Sequence, residues 1–150
     1  MDHRVAHLLQ QPAVVGSHSI RPPLLQLDPD LSLPGAVGEY ERALATGDVE
    51  AAVAAFEPDG YRRGEGHARR GRDELTTLHQ RFFSNGGGVV LERCSVTDDG
   101  RACALEYNVV RWGRMELLPQ AGLAVCVRGA TGKLAGVRAY DDVDPTAEPA

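Results

Sequence analysis

A junction in the first third of the chain most constrains how the chain can fold. The segment that contains Tyr40 and ends at Thr46 predicts an amphipathic helix that begins near residue 35. Gly47 fits the left-handed position that ends helices. Asp48 follows, and its carboxylate can accept hydrogen bonds from the first backbone amides of another helix. The junction therefore predicts two consecutive helices.

The rest of the chain predicts one more helix and then β-structure. The third helix is predicted over residues 72–83, and a turn with a short strand or loop is predicted before it, over residues 56–63. Strands are predicted over residues 89–96, 101–112, 122–127 and 133–143. Helices followed by antiparallel strands predict an α+β domain in which a curved sheet wraps a long helix.

Composition predicts one globular domain with an extended segment before it. The chain has 150 residues, of which 43% are hydrophobic and 25% charged, as in ordinary globular proteins. Prolines interrupt any periodicity in the first 34 residues. We expect residues 1–34 to form an arm or linker, residues 35–145 the domain, and residues 146–150 a tail.

Charge and patterning argue against several classes of function. The net charge is −5 and the arginines of residues 62–72 have Glu65, Asp73 and Glu74 among them, so we expect no nucleic-acid partner. No apolar run reaches the roughly 20 residues that span a bilayer, so we expect no membrane partner, and the chain begins without a signal-peptide pattern. We expect a cytoplasmic protein with reduced cysteines (Cys94, Cys103 and Cys126). Metal-ligand spacing is missing, so we expect no metal and no cofactor.

The order of these elements, with Tyr40 shortly before Gly47-Asp48, resembles the nuclear transport factor 2-like (NTF2-like) superfamily. That superfamily includes the SnoaL-like polyketide cyclases and the ketosteroid isomerases. The resemblance covers roughly residues 34–145. It implies a cone-shaped fold, with about three helices packed into a curved antiparallel sheet, and a pocket for a hydrophobic small molecule.

The same resemblance implies that Tyr40 points into the pocket and donates a hydrogen bond to a developing oxyanion. The other two isomerase groups do not carry over. The catalytic aspartate falls on Gly64, with Glu65 its only near substitute, and the second oxyanion donor falls on Leu123, beside Ala124. Because some group must take a proton from carbon, steroid isomerase activity is not expected. Alternatively, Tyr40 packs in the core and bonds an internal acceptor.

Other acids are candidates for the pocket. Side chains alternate along the strand of residues 101–112, and matching Trp112 to the isomerase turn directs Glu106 inward. The same matching directs Asp141 inward, so Glu106 and Asp141 are the predicted acid–base pair, with Tyr40. The predicted substrate contacts are Asn108, Trp112, Val137 and His67. A slip of one residue would instead place Glu106 on the outer face.

Two functional hypotheses remain open. The first is a cofactor-free isomerase, cyclase or dehydratase for a hydrophobic, oxygenated compound of polyketide or steroid type. In it, Tyr40 polarises a carbonyl while Glu106 or Asp141 moves a proton. The second is a non-catalytic ligand-binding or dimerisation module. An enzyme requires an acid in the pocket beside Tyr40, whereas a module would have a pocket filled by its own side chains.

A homodimer is also expected, through the outer face of the sheet. The family resemblance implies this assembly. With the Glu106 face inward, Leu105, Tyr107 and Val109 would form an apolar row on the outside. Such a row would be covered by a partner.

Overall fold

The computed structural model describes residues 27–64 and 66–141, and of residues 118 and 119 it describes the backbone alone. The predicted tail and most of the predicted arm lie outside the described residues. Helix α1 spans Gly35–Thr46, α2 spans Val49–Ala54 and α3 spans Gly71–Phe82. None of the described helices is long and apolar enough to cross a membrane.

Six strands follow or alternate with these helices. They are β1 (Phe56–Gly64), β2 (His67–Arg70), β3 (Val89–Asp98), β4 (Ala102–Trp112), β5 (Met115–Arg128) and β6 (Leu134–Tyr140). They form one curved, open sheet in the order β2-β1-β6-β5-β4-β3. Neighbouring strands are antiparallel except β1 and β6, which are parallel. The predicted α+β class is confirmed.

The junction between α1 and α2 has the predicted chemistry. Gly47 adopts φ 72°, and its backbone N–H bonds the carbonyls of Ala43 and Leu44. Asp48 accepts a hydrogen bond of 3.0 Å from the backbone N–H of Ala51. A left-handed glycine followed at once by a side-chain cap ends one helix and starts the next, with an acceptor for the Ala51 amide.

One local prediction in the middle of the chain is wrong, and one strand was not predicted. Residues 56–60, predicted as a turn, belong to strand β1, and residues 67–70, for which no element was predicted, form strand β2. The turn residues instead produce an irregularity within β1. Its pairing with β6 passes from Phe56 opposite Leu134 to Tyr61 opposite Gly136, so β1 carries extra residues between two paired positions.

The helices pack against one face of the sheet, which we call the inner face. Leu105, Tyr107 and Val109 of β4 are 4%, 5% and 2% exposed and belong to the core beneath the helices. The expected apolar row on the outside is therefore wrong, because these side chains are covered within one chain. The homodimer stays a prediction without this support.

The cap at Asp48 yields a stability test. We expect Asp48→Ala to lower the free energy of unfolding by about 1 kcal/mol, because the Ala51 amide loses its acceptor. Urea unfolding followed by circular dichroism would measure the loss. Asp48→Ser keeps a capping oxygen and should stay near the wild-type value. Equal losses in the two variants would show that the cap is not the source.

Candidate functional site

A cavity of about 480 Å³ lies between the helices and the inner face of the sheet. Much of its wall is apolar, and side chains of α3, β3, β4 and β6 supply this part. Examples are Leu78, Phe82, Val89, Val109, Trp112 and Val137. The size falls within the roughly 300–1,000 Å³ of pockets that hold small organic ligands. The helices and sheet therefore leave room that the described residues do not fill.

Most of the predicted site residues line this cavity. Tyr40 reaches it from α1, Trp112 from β4, and Val137 from β6. His67 reaches it from the start of β2, and Asp141 from just beyond the end of β6. The structure thus brings a phenol and a carboxylate to one cavity. The catalytic and substrate-binding roles of these residues stay predictions.

Glu106 and Asn108 do not line the cavity, and their predicted placement is wrong. Glu106 is exposed and accepts a hydrogen bond of 2.7 Å from the Ser95 hydroxyl on β3. Asn108 is 8% exposed and lies on the same side of β4 as Glu106, away from the cavity. Neither side chain can meet a ligand in the cavity.

A register shift in β4 explains the error. Leu105, Tyr107 and Val109 line the cavity in strict alternation, but so does Trp112, which strict alternation would place on the other face. In the pairing of β4 with β3, Val109 and Arg111 lie opposite the consecutive residues Leu91 and Val90, so β4 carries one extra residue there. A bulge reverses the alternation, so counting back from Trp112 selects the wrong set of residues.

Tyr40 and His79 form a buried hydrogen bond between α1 and α3. The Tyr40 hydroxyl lies 2.8 Å from His79 Nε2, and His79 Nδ1 lies 2.6 Å from the Leu75 carbonyl oxygen. The carbonyl can only accept, so Nδ1 carries the proton. Burial of His79 lowers its pKa to about 4, so the ring is neutral near pH 7 and Nε2 is an acceptor. Tyr40 therefore donates its proton to His79.

This bond determines what Tyr40 presents to the cavity. Burial raises the pKa of Tyr40 to about 12, although the Arg62 charge opposes part of the rise, so the phenol stays protonated. Because its proton points to His79, Tyr40 is an acceptor in this arrangement, and Arg62 is a hydrogen-bond donor to it. Both sequence interpretations hold in part, since Tyr40 lines the cavity and also bonds an internal acceptor.

A second polar pair lies on the opposite wall of the cavity. The Tyr107 hydroxyl on β4 donates a short hydrogen bond to Oδ2 of Asp141. Burial, followed by the adjacent Asp141 charge, raises the pKa of Tyr107 well above its usual range. The phenol is therefore a permanent donor that holds the carboxylate in place. Sequence reasoning missed Tyr107 because it assigned the wrong face of β4.

Arg62 of β1 is the other residue that sequence reasoning missed. Its guanidinium carbon lies 4.6 Å from the centre of the Phe82 ring, over the ring face, and the side chain lines the cavity. A signal was available, because residues two apart in a strand share a face. Gly64 had been matched to a pocket position, and Arg62 lies two residues before it.

The positions matched to the isomerase acids carry no acid. Gly64 lines the cavity and Leu123 does not, although its neighbour Ala124 does, and none of the three has an ionisable side chain. Among the described residues, no group of three His, Cys, Asp or Glu side chains is arranged to hold a metal ion. In the described part of the wall, the ionisable side chains are Tyr40, Glu41, Arg62, His67, Arg69, Arg81, Tyr107, Cys126 and Asp141.

The buried histidine predicts a pH-dependent stability. His79 has its ordinary pKa of 6.5 in the unfolded chain and a pKa of about 4 in the folded protein. Between these two pH values the chain therefore takes up a proton when it unfolds. The stability that comes from keeping this imidazole neutral is fully present above about pH 6.5, is lost as the pH falls towards 4, and amounts to about 3 kcal/mol.

Urea unfolding of wild type and His79→Gln at pH 7 and pH 4 would test this. Between pH 7 and pH 4 we expect the free energy of unfolding to fall by about 3 kcal/mol more in the wild type than in the variant, because glutamine does not titrate. Parallel losses in both proteins would contradict a buried neutral imidazole. Imidazole resonances of labelled protein give an independent pKa for His79.

Solved structures with this fold are similar to the chain. A candidate polyketide cyclase from Sinorhizobium meliloti is 22% identical with a TM-score of 0.62, over 72% of this chain and 95% of its own. A protein from Catenulispora acidiphila with a ketosteroid isomerase-like fold, in complex with trimethylamine, is 15% identical with a TM-score of 0.60, over 73% of this chain and 86% of its own. An LEH-like epoxide hydrolase from Mycobacterium tuberculosis is 23% identical with a TM-score of 0.60, over 71% of this chain and 80% of its own.

These likenesses confirm the NTF2-like fold. No curated protein sequence matches the chain. One family model does match, that of the SnoaL-like domain, over residues 37–140, which is more than half of the chain. The chain therefore belongs to the SnoaL-like family.

Proposed function

We propose that this protein is a cofactor-independent acid–base enzyme, of isomerase, cyclase or dehydratase type, for a hydrophobic, oxygenated small molecule. The observation that carries the proposal is the hydrogen bond from Tyr107 to Asp141 at a cavity that is open and largely apolar. It places a fixed carboxylate in the same space as Tyr40 and Arg62. This arrangement is expected of an enzyme and not of a module whose pocket is filled by its own side chains.

Asp141 moves the proton in this proposal. The Tyr107 hydroxyl bonds Oδ2, so Oδ1 is the oxygen that takes a proton from the ligand and returns it. A base held in one orientation needs less reorganisation during proton transfer. Tyr107 is a positioning residue, because it acts on the carboxylate and its own proton stays in place.

Arg62 and Tyr40 bind the oxygen atoms of the ligand. The guanidinium of Arg62 supplies N–H donors and positive charge where negative charge develops during proton removal. Tyr40 accepts a hydrogen bond from a ligand hydroxyl, because its own proton is given to His79. This revises the expectation that Tyr40 polarises a carbonyl as a donor.

The apolar walls hold the body of the ligand. Trp112 is fixed by a hydrogen bond of 2.9 Å from Nε1 to the Phe82 carbonyl oxygen. Its ring also packs edge to face against the Phe82 ring, with 5.4 Å between the ring centroids. Val137 lies on the β6 wall. The names of the similar structures, a candidate cyclase and an epoxide hydrolase, support a small-molecule reaction and leave its type open.

Hydrogen–deuterium exchange at carbon would test the proposal without a known substrate. Purified protein in D₂O is incubated with hydrophobic cyclic ketones and polyketide-like hydroxyketones, and loss of the proton signal next to the carbonyl is followed by NMR. We expect catalysed exchange for at least one compound. Asp141→Asn should lower the rate by about 10²–10⁴-fold, the usual contribution of a general base. Tyr107→Phe should lower it less.

Glu106→Gln is the matched control. It removes a carboxylate on the same strand as Tyr107, but on the face away from the cavity, so the exchange rate should not change. An Asp141→Asn variant with the wild-type rate would sink the assignment of the base. Ligand binding without exchange for every compound in the panel would leave the non-catalytic module as the function.

A further inference from the structure

We propose that the natural ligand is an anion, a hydrophobic molecule with a carboxylate that Arg62 and Arg69 bind together. The inference rests on the proposed function, because it concerns the same cavity. It adds that the ligand is charged before any reaction begins. The carrying observation is that two arginines face each other across β1 and β2 on the wall of the cavity.

The register brings the two positive charges together. Arg62 of β1 lies directly opposite Arg69 of β2, and both side chains line the cavity. Like charges at directly opposite positions of an antiparallel pair repel each other and destabilise the sheet. An anion bound between the two guanidinium groups would turn this repulsion into two attractions.

The described residues offer these arginines no carboxylate. The ion pairs recorded there join Arg93 to Glu41 and Arg128 to Asp98, both at 2.6 Å. Glu41, which also lines the cavity, is thereby neutralised. Within the described part of the chain, Arg62 and Arg69 thus have no acidic side chain within 4.0 Å.

Arg62 is held by stacking and by the neutral Tyr40 hydroxyl, and not by a carboxylate of the described residues. Its guanidinium lies over the Phe82 ring, and its Nε is buried with no hydrogen-bond partner among the described residues. A guanidinium N–H that loses water without gaining an acceptor costs free energy. Its planar set of N–H donors matches the two oxygens of a carboxylate, which would recover that cost.

The charge of Arg62 acts across the whole cavity. It lowers the pKa of the Tyr40 and Tyr107 hydroxyls against the larger effect of their burial. It also adds to the lowering of the His79 pKa. A ligand anion in the cavity would experience the field of the same positive charge.

Asp141, the other acid of the cavity wall besides Glu41, lies away from the arginine pair. Arg62 is opposite Val137 on β6, and Asp141 comes later, beyond the end of that strand. Its carboxylate is engaged by Tyr107. The protein carries a net charge of −5, so the positive wall is a local arrangement and not a general property of the surface. The cavity therefore has a cationic wall, an apolar middle and a separate carboxylate.

Calorimetric titration with three compounds of one shape tests the proposal. The probes are naphthoic acid, its methyl ester and naphthylmethanol, which share an apolar body and differ in charge. We expect the acid to bind at least tenfold more tightly than either neutral compound, because a charge-assisted hydrogen bond contributes about 1.5–3 kcal/mol and tenfold corresponds to 1.4. Equal or tighter binding of the neutral compounds, or no binding of the acid at millimolar concentration, overturns the proposal.

Variants locate the preference for the acid. Arg62→Met keeps an unbranched side chain against Phe82 and should abolish the preference for the acid, and Arg69→Met should reduce it. Arg63→Met is the matched control, since Arg63 is exposed, adjacent in β1 and absent from the cavity wall. It should leave the preference unchanged, and a preference that survives Arg62→Met contradicts the assignment. Circular dichroism of each variant verifies folding.

The outcome is separable from that of the proposed function. If neutral ketones undergo exchange and the protein shows no preference for naphthoic acid, Arg62 acts on developing charge alone. The acid–base enzyme then stands without an anionic ligand. If the acid binds through Arg62 and Asp141→Asn binds it equally well, but no exchange occurs, the anion site stands and catalysis fails. Resonances of the Arg62 Nε–H group report the bound acid directly, even in a folded variant without turnover.

Discussion

The hydrogen-bonded series from Tyr40 through His79 to the Leu75 carbonyl is the interaction on which the site depends. It joins α1 to α3 within the core, where His79 is fully buried and Tyr40 is 4% exposed. The Tyr40 ring also packs edge to face against the Phe56 ring of β1, with 5.1 Å between the ring centroids. Losing either partner would leave a buried polar atom unpaired, at a cost of about 1–3 kcal/mol. The position of α3 over the sheet, and so the width of the cavity, follows from this bond.

The polar groups of the cavity are separated by their position on the sheet. The arginines come from β1 and β2 at one edge, and the Tyr107–Asp141 pair comes from β4 and the end of β6. Val137 of β6 and Val109 of β4 lie among the apolar wall residues. A ligand that fits this arrangement has one polar end for recognition and another for reaction. Binding energy gained at the arginines can then orient the reacting atoms near the carboxylate.

Local signals predicted the helices, while the sheet required information from other strands. Gly47 and Asp48 set the first helix boundary through backbone geometry and capping, which depend only on neighbouring residues. The face of β4 depended on an irregular pairing with β3, and no residue type in β4 announces it. Glu106 was therefore misplaced and Tyr107 missed. Arg62 was within reach of the pattern, because it shares a face with Gly64, but it was grouped with the other arginines of residues 62–72.

The parallel pairing of β1 with β6 has a consequence for the order of folding. It joins the first strand of the sheet to the last, so Phe56 finds Leu134 only after the intervening chain has been placed. Contacts so distant in sequence close a long loop and form late, whereas the β3–β4 and β4–β5 hairpins can form locally. Arg62 and Asp141 belong to the two partners of this late step. A partly folded chain could therefore have an ordered hairpin layer and still lack the charged groups of the cavity, so that binding competence is reached only when folding is complete.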